Sequence, residues 1–261
     1  MAAKSAQHHS EIDPSRVLIV IPSRFGSTRF PGKALADLAG EPLIVRVLEN
    51  SRRIAHAKTI VVATDDQRIC DAVADAGGQA EMTGAHETGT DRIGEVAARH
   101  DVDLVVNLQG DEPLLNHHDV DALIAAMVAD PRRDVGTCAH AFSDPAQWRD
   151  PNAVKVICDR EMKALYFSRA PIPGGFPGAE VVGHQVALRH VGIYAFRQTA
   201  LQKFLAWPRT PLEISEGLEQ LRALENGMNI YVQKIERAPV GVDTPEDLEQ
   251  VRKLWQEDRS V

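Results

Sequence analysis

Three short, largely apolar runs, Val17 to Ile21, Thr59 to Ala63 and Asp103 to Leu108, each end in a polar cluster: PSRFGSTR, TDD and QGDEP. Branched residues dominate the runs, which marks strands buried on both faces rather than strands of alternating polarity. Between and after them lie apolar residues at the spacing of one helix face: Leu43, Val47 and Leu48 after Pro42, then Ile69, Val73 and Ala76, then Val120, Leu123, Ile124 and Met127. Buried strands alternating with amphipathic helices restrict a chain to an α/β fold with a largely parallel sheet. Right-handed crossovers bring the carboxyl ends of such strands to one edge, so the three polar clusters should gather at a single crevice.

After about residue 134 the rhythm changes. Strand-like stretches at Val135 to Phe142, Ala153 to Cys158, Ala164 to Phe167 and Val191 to Phe196 lie close together and predict a second, more antiparallel lobe. Residues 170–187 are Pro- and Gly-rich and read as a long surface loop. A helix is predicted around Leu212 to Glu225, a strand at Ile230 to Ile235 and a final helix from Thr244. The resulting division is a mobile tail over 1–15, a first lobe over 16–134, a second over 135–210, and a segment over 211–261 that returns to the first.

With 261 residues, 44% apolar and 25% charged, the chain has the makings of a full hydrophobic core and not of a disordered tract. A formal charge of −8 argues against binding a nucleic acid polymer while allowing a local basic pocket. Cys70, Cys138 and Cys158 lie far apart, which speaks against a zinc knuckle or a disulfide framework. The opening residues have no signal-like apolar stretch and no run approaches the ~20 residues of a bilayer span, so the expectation is a cytoplasmic protein without membrane insertion.

The segment Pro22 to Lys33 has the parts of an anion cradle: two glycines that let backbone N–H groups approach phosphate, and the fixed cations Arg24, Arg29 and Lys33. It is not a Walker A loop, because five residues separate Gly26 from Gly32 and Ala34 follows Lys33; GxGxxG is also missing. A solvated surface loop is the plain alternative. Asp111 and Glu112 follow a buried strand, where a carboxylate can hold Mg²⁺ or simply form an acidic turn before the next helix. Asp243 precedes Thr244-Pro245-Glu246-Asp247, a helix start that needs no help from it, leaving its carboxylate as a metal ligand or a turn residue. His190 and Tyr194 are four apart on one strand, share a sheet face and read first as core neighbours; Arg169 reads as a loop cation, and Glu219 with Gln220 as a helix surface.

In order and spacing, the segments IPSRFGSTRFPGKAL, ATDD, GTDRIGEV, VVNLQGDEP, SRAPIP, RHVGIYAFR, LEQLRALENG and GVDTPEDLE closely resemble the bacterial 3-deoxy-manno-octulosonate (Kdo) cytidylyltransferases, from about Arg16 to about Val251. The resemblance implies a Rossmann-like nucleotidyltransferase fold with a smaller sheet lobe for sugar binding and dimerisation. It implies CTP and Kdo as substrates, Mg²⁺ as cofactor, a homodimer, and CMP-Kdo and pyrophosphate as products, for lipopolysaccharide biosynthesis. It assigns Ser23, Arg24 and Lys33 to the triphosphate, Asp91 and Arg92 to the nucleoside, and Asp111 and Asp243 to the metal. Arg24, Lys33, Asp111 and Asp243 become the catalytic set. Arg169, His190, Tyr194, Glu219 and Gln220 fall on the sugar side, with Gln109 between the substrates. Phe25 stands where such enzymes commonly have Tyr, a change that conserves volume. Two other classes stay in view: a dinucleotide-dependent oxidoreductase, opposed by the missing glycine fingerprint, and a noncatalytic sugar-nucleotide binder, opposed by the pair of aspartates.

Overall fold

In the computed structural model the described residues are 13–26, 29–175 and 183–258. The expected tail over 1–15 falls largely outside them, but its end is structured: Pro14–Arg16 form a 3-10 turn capped by Asp13, whose carboxylate accepts from the Ser15 N–H. β1 (Val17–Ser23) sends Val17, Ile19 and Ile21 into one core layer and Leu18 and Val20 into the other. The loop after it closes through a 3-10 turn at Lys33–Leu35 and a small ribbon, β2 (Asp37–Leu38) with β3 (Glu41–Pro42).

The chain then runs α1 (Leu43–Ser51), β4 (Thr59–Thr64), α2 (Gln67–Asp75), β5 (Gln79–Met82), α3 (Gly89–Ala97), β6 (Leu104–Asn107) and α4 (His117–Ala129). Ile69 and Val73 are the buried residues of α2, and Val120, Leu123, Ile124 and Met127 those of α4, as their spacing predicts. Apolar spacing does not mark β5 or α3. β5 is half-exposed, and the buried face of α3 includes Thr90, Arg92 and Gly94.

The second half comprises β7 (Val135–Ala141), α5 (Pro145–Arg149), β8 (Lys155–Cys158), β9 (Ala164–Ser168), α6 (Gly183–Val186), β10 (Leu188–Arg197), α7 (Gln198–Ala206), α8 (Pro211–Glu216), α9 (Gln220–Glu225), β11 (Ile230–Lys234) and α10 (Pro245–Asp258). The stretch 170–187, expected as a loop throughout, contains α6 at its end; residues 176–182 lie outside the described residues. The helix expected from Leu212 to Glu225 is two helices, because Gly217 takes the left-handed conformation (φ +62°) and ends α8. That break puts a turn, not a helix surface, at residues 217–219.

All the larger strands join one nine-stranded sheet in the order β11-β7-β10-β6-β1-β4-β5, with β8 and β9 continuing from β10. Along that path β10 alone is reversed, antiparallel to both β6 and β7. The antiparallel region is therefore an extension of the main sheet, with β8 and β9 as its arm. Lys155, fully buried on β8, anchors the arm by donating Nζ hydrogen bonds to the carbonyls of Asp150 (2.8 Å), Ala153 (2.8 Å) and Arg169 (2.5 Å). One core layer packs α1, α2 and α4 on the sheet; the other packs α3, α7 and α9. Leu248 and Val251 of α10 pack with Leu38 and Leu43 from near the start of the chain. Among the described residues no helix is long and apolar enough to cross a membrane.

Candidate active site

The ends of β1 and β6 meet as the crossover rule predicts, and the contact is tight. A Cβ at Gly110 would stand 2.8 Å from the Pro22 carbonyl oxygen, so only glycine lets the two strand ends approach this closely. Above them lies a cavity of about 430 Å³ lined by Ser23, Arg24, Arg29, Lys33, Arg92, Gln109, Asp111 and Asp243, among others. Gly32, at φ +73°, turns the loop so that its N–H donates to the Phe25 carbonyl (3.1 Å) and Lys33 enters the cavity. The Phe25 ring is covered by the Arg68 guanidinium, 3.4 Å from the ring centroid.

Two remote aspartates converge here. The Val242 N–H donates to the Asp111 carbonyl (2.9 Å), which draws the segment before α10 onto the end of β6. Lys33 Nζ then donates to Asp111 Oδ2 at 2.6 Å and lies 3.5 Å from Asp243 Oδ1, which also pairs with Arg29 at 3.1 Å. The start of α10 is held without the Asp243 side chain: Asp247 accepts from the N–H groups of Asp243 and Thr244, and Thr244 Oγ1 accepts from the Asp247 N–H. The Asp243 carboxylate is thereby free to face the cavity.

A second cavity, of about 290 Å³, adjoins the first and shares Pro22, Gly89, Gln109 and Glu219 with it. His190, Tyr194, Thr90, Asn107 and Gln220 complete much of its wall. No Lys or Arg lines it among the described residues, and burial works against charge there. Burial pushes His190 down to about 4, raises the Tyr194 hydroxyl well above its usual range, and raises Glu219 despite the hydrogen bond that Thr90 Oγ1 donates to it at 2.6 Å. Thr137 Oγ1 lies 2.8 Å from the Ile193 carbonyl, 3.2 Å from the Val191 carbonyl and 2.9 Å from His190 Nε2. Carbonyls only accept, so the single hydroxyl proton goes to them and His190 Nε2–H is the donor to Thr137; Nδ1 remains an acceptor. Gln109 Nε2 donates to the Gly192 carbonyl (2.8 Å), which fixes this side chain where the two cavities meet.

Most of the residues selected from the sequence come together at these cavities; two do not line either one. The Arg169 guanidinium donates to the carbonyls of Glu216 (2.8 Å) and Pro151 (3.2 Å), and lies 3.5 Å from that of Gly217. It stands behind the wall that Gly217 forms. Asp91 instead lies in the first turn of α3, where its carboxylate accepts at 2.9 Å from Oγ1 of Thr88, the residue that caps the helix. Arg92 reaches the first cavity while paired with Asp65 at 2.6 Å. Glu219 and Gln220 are not a solvated helix surface: Gln220 is 6% exposed. Residues that no motif singled out include Thr137, Thr90 and Asn107. The signal for Asn107 is a lone amide closing an otherwise apolar strand.

The carboxylates fit a magnesium ion. Mg²⁺ typically takes one or two protein carboxylates and completes its shell with water and phosphate oxygens. Asp111 and Asp243 already share one cationic group, the Lys33 ammonium. Among the described residues no cluster of three or more His, Cys, Asp or Glu side chains forms a complete protein cage. Glu112 is the poorer candidate, since burial, aided by the neighbouring Asp111 charge, pushes its carboxyl up to about 8.

The family model for cytidylyltransferases matches residues 18–230 of the chain. A 3-deoxy-manno-octulosonate cytidylyltransferase of Geobacter metallireducens is 46% identical over 244 residues, covering 90% of this chain and 96% of the relative. The enzyme of the same name from Escherichia coli is 45% identical, covering 92% and 96%. Among solved structures, CMP:2-keto-3-deoxy-manno-octonic acid synthetase in complex with CTP superposes with a TM-score of 0.88 at 42% identity, covering 93% of this chain and 99% of that one. A 4-diphosphocytidyl-2C-methyl-D-erythritol synthase from Anaerococcus prevotii, 17% identical with a TM-score of 0.62, shares the fold.

Proposed function

This chain belongs to the cytidylyltransferase family, with 3-deoxy-manno-octulosonate cytidylyltransferases as its relatives across nearly its whole length, and from that premise we propose how its two cavities divide the reaction. The enzyme activates Kdo with CTP, giving CMP-Kdo and pyrophosphate for lipopolysaccharide biosynthesis. The observation that carries the division is the pairing of a cavity where Arg24, Arg29, Lys33 and Arg92 meet Asp111 and Asp243 with a cavity that no Lys or Arg lines among the described residues, the two joined at Gln109 and Glu219.

The triphosphate lies in the larger cavity against Arg24, Arg29 and Lys33, with Ser23 as a neutral partner and Arg92 in the wall toward the nucleoside. Kdo lies in the smaller cavity, its hydroxyls against His190, Tyr194 and Gln220. Among the described residues no cation lines that smaller cavity, so the Kdo carboxylate faces the shared boundary. The 2-hydroxyl oxygen of Kdo attacks the α-phosphorus of CTP in line; the new O–P bond forms as the bond to the β-phosphate oxygen breaks, and the proton leaves to solvent. Gln109 holds the approach at the boundary, and Arg24 and Lys33 stabilise the charge growing on pyrophosphate. Asp111 and Asp243 would hold Mg²⁺, which when bound supplies Lewis-acid stabilisation to the phosphate and hydroxyl oxygens.

We further propose a cytoplasmic homodimer that associates through the β8–β9 arm. Leu165, 57% exposed on the outer strand β9, supports that surface. Sedimentation of the wild type beside Leu165→Glu tests it, the variant sedimenting as a monomer. The reaction is tested by coupled pyrophosphate release, with CMP-Kdo identified by mass. Release with CTP and Kdo but not with CTP alone is expected, and lost when Mg²⁺ is chelated; no release with both substrates and metal present overturns the reading.

A further inference from the structure

We propose that Asn107 is a specificity-determining residue for the sugar, its side-chain carbonyl accepting a hydrogen bond from one hydroxyl of Kdo. The proposal rests on the division of the two cavities given above.

Asn107 closes β6 after Leu104, Val105 and Val106, all buried. It sits at the seam of the sheet, with Val20 of β1 as its parallel partner and Tyr194 of β10 as its antiparallel one. Strand alternation gives it the face of Val105, toward the core layer of α3, α7 and α9. An apolar side chain there would leave no buried acceptor without a donor, yet the position holds an amide that is 5% exposed. Its Oδ1 is buried and has no hydrogen-bond donor among the described residues.

An acceptor stripped of water and left unpaired opposes folding, and such groups are rare in native interiors. Asn107 lines the smaller cavity, and so does the one other buried amide there with an unpaired atom: Gln220, whose Nε2 has no acceptor among the described residues. The two are chemically complementary. Oδ1 only accepts and Nε2 only donates, so a group that both donates and accepts satisfies either one or both. A hydroxyl does this; a carboxylate cannot serve Asn107, since it has no proton to give. With His190 Nδ1 as a further acceptor, this wall suits the polyol part of the sugar acid, and the acid group belongs elsewhere.

The test uses Asn107→Leu, close in volume and without the acceptor, and singly deoxygenated Kdo analogues lacking the 4-, 5-, 7- or 8-hydroxyl. Asn107→Leu is expected to raise the KM for Kdo by roughly 10- to 100-fold, the range for a buried hydrogen bond left unmade, with the CTP dissociation constant from calorimetry within about two-fold of wild type. The melting temperature of the ligand-free variant should equal or exceed that of the wild type, because no protein hydrogen bond is lost. One analogue should lose a similar factor with the wild type and nothing further with the variant. A lowered melting temperature with unchanged KM for Kdo overturns the proposal in favour of a structural role, as does a loss confined to CTP. So does a wild type indifferent to every analogue, a measurement that needs no variant to fold. Wild-type enzyme that binds CTP but releases no pyrophosphate with intact Kdo would instead defeat the reading of the reaction itself.

Discussion

The two walls of the cleft handle polarity in opposite ways. On the nucleotide side, Arg24 and Arg29 are exposed and Lys33 and Asp111 only half-buried, so their charges stay partly hydrated until phosphate arrives. On the sugar side, burial drives His190, Tyr194 and Glu219 toward their neutral forms. A polyanion is met by solvated cations on loops, which carry little desolvation penalty in the free enzyme. A polyol is met by dehydrated neutral groups on strands and a helix end, where each unmatched hydrogen bond weighs heavily. Defects on the first wall should therefore appear in turnover and CTP use, and defects on the second in Kdo affinity and stability.

The largest expected effect breaks the boundary between the walls. Asp111→Asn and Asp243→Asn should each lower kcat by roughly 10²- to 10⁴-fold at saturating Mg²⁺ with little change in melting temperature, since both carboxylates serve charge in the transition state. Near-normal turnover in either would remove it from the metal site. Lys33→Ala comes next, with kcat/KM for CTP down by about 10²-fold and Kdo binding intact; a defect seen only with Kdo would reverse the assignment of the walls.

Acid titration of stability sharpens the contrast. His190 ordinarily titrates at 6.5 and in the fold is held down to about 4 by burial. Below pH 6.5 the unfolded chain takes a proton that the folded chain refuses, so stability falls as pH drops from 6.5 toward 4, and above 6.5 this group contributes no pH dependence. At pH 5 the effect is on the order of 1–2 kcal/mol, and His190→Gln should flatten that part of the curve in urea unfolding at pH 5 and 7. An unchanged slope would show that the fold does not hold His190 below its ordinary range. The smallest effect concerns orientation: Thr137→Val removes the acceptor of His190 Nε2–H and should raise the KM for Kdo by about 10-fold while leaving kcat and CTP binding nearly unchanged. Equal losses for both substrates would mean that Thr137 supports the sheet and not the ring.

Local rules carried much of this molecule. The unbroken apolar run of β1 implied burial on both faces, the spacing in α2 and α4 named their buried residues, and Thr244 with Asp247 marked the start of α10. Family motifs placed Arg24, Lys33, Gln109, Asp111, His190, Tyr194, Gln220 and Asp243 at the two cavities. These signals are readable because they depend on neighbours a few residues away or on segments kept in a recognisable order. Tertiary structure decided the remainder. The reversal of β10 within the sheet and the left-handed break at Gly217 are set by packing, and the use of the Arg169 guanidinium on main-chain carbonyls and the bond of Asp91 to the cap residue Thr88 separate these two from residues that motif reading had grouped with them. Thr137 finds the ring of His190, and Asn107 its cavity neighbours Tyr194 and Gln220, on a strand and a helix far along the chain. Whether a polar side chain faces solvent, core or cavity is set by long-range pairing and packing, and residue spacing along one segment holds no record of either.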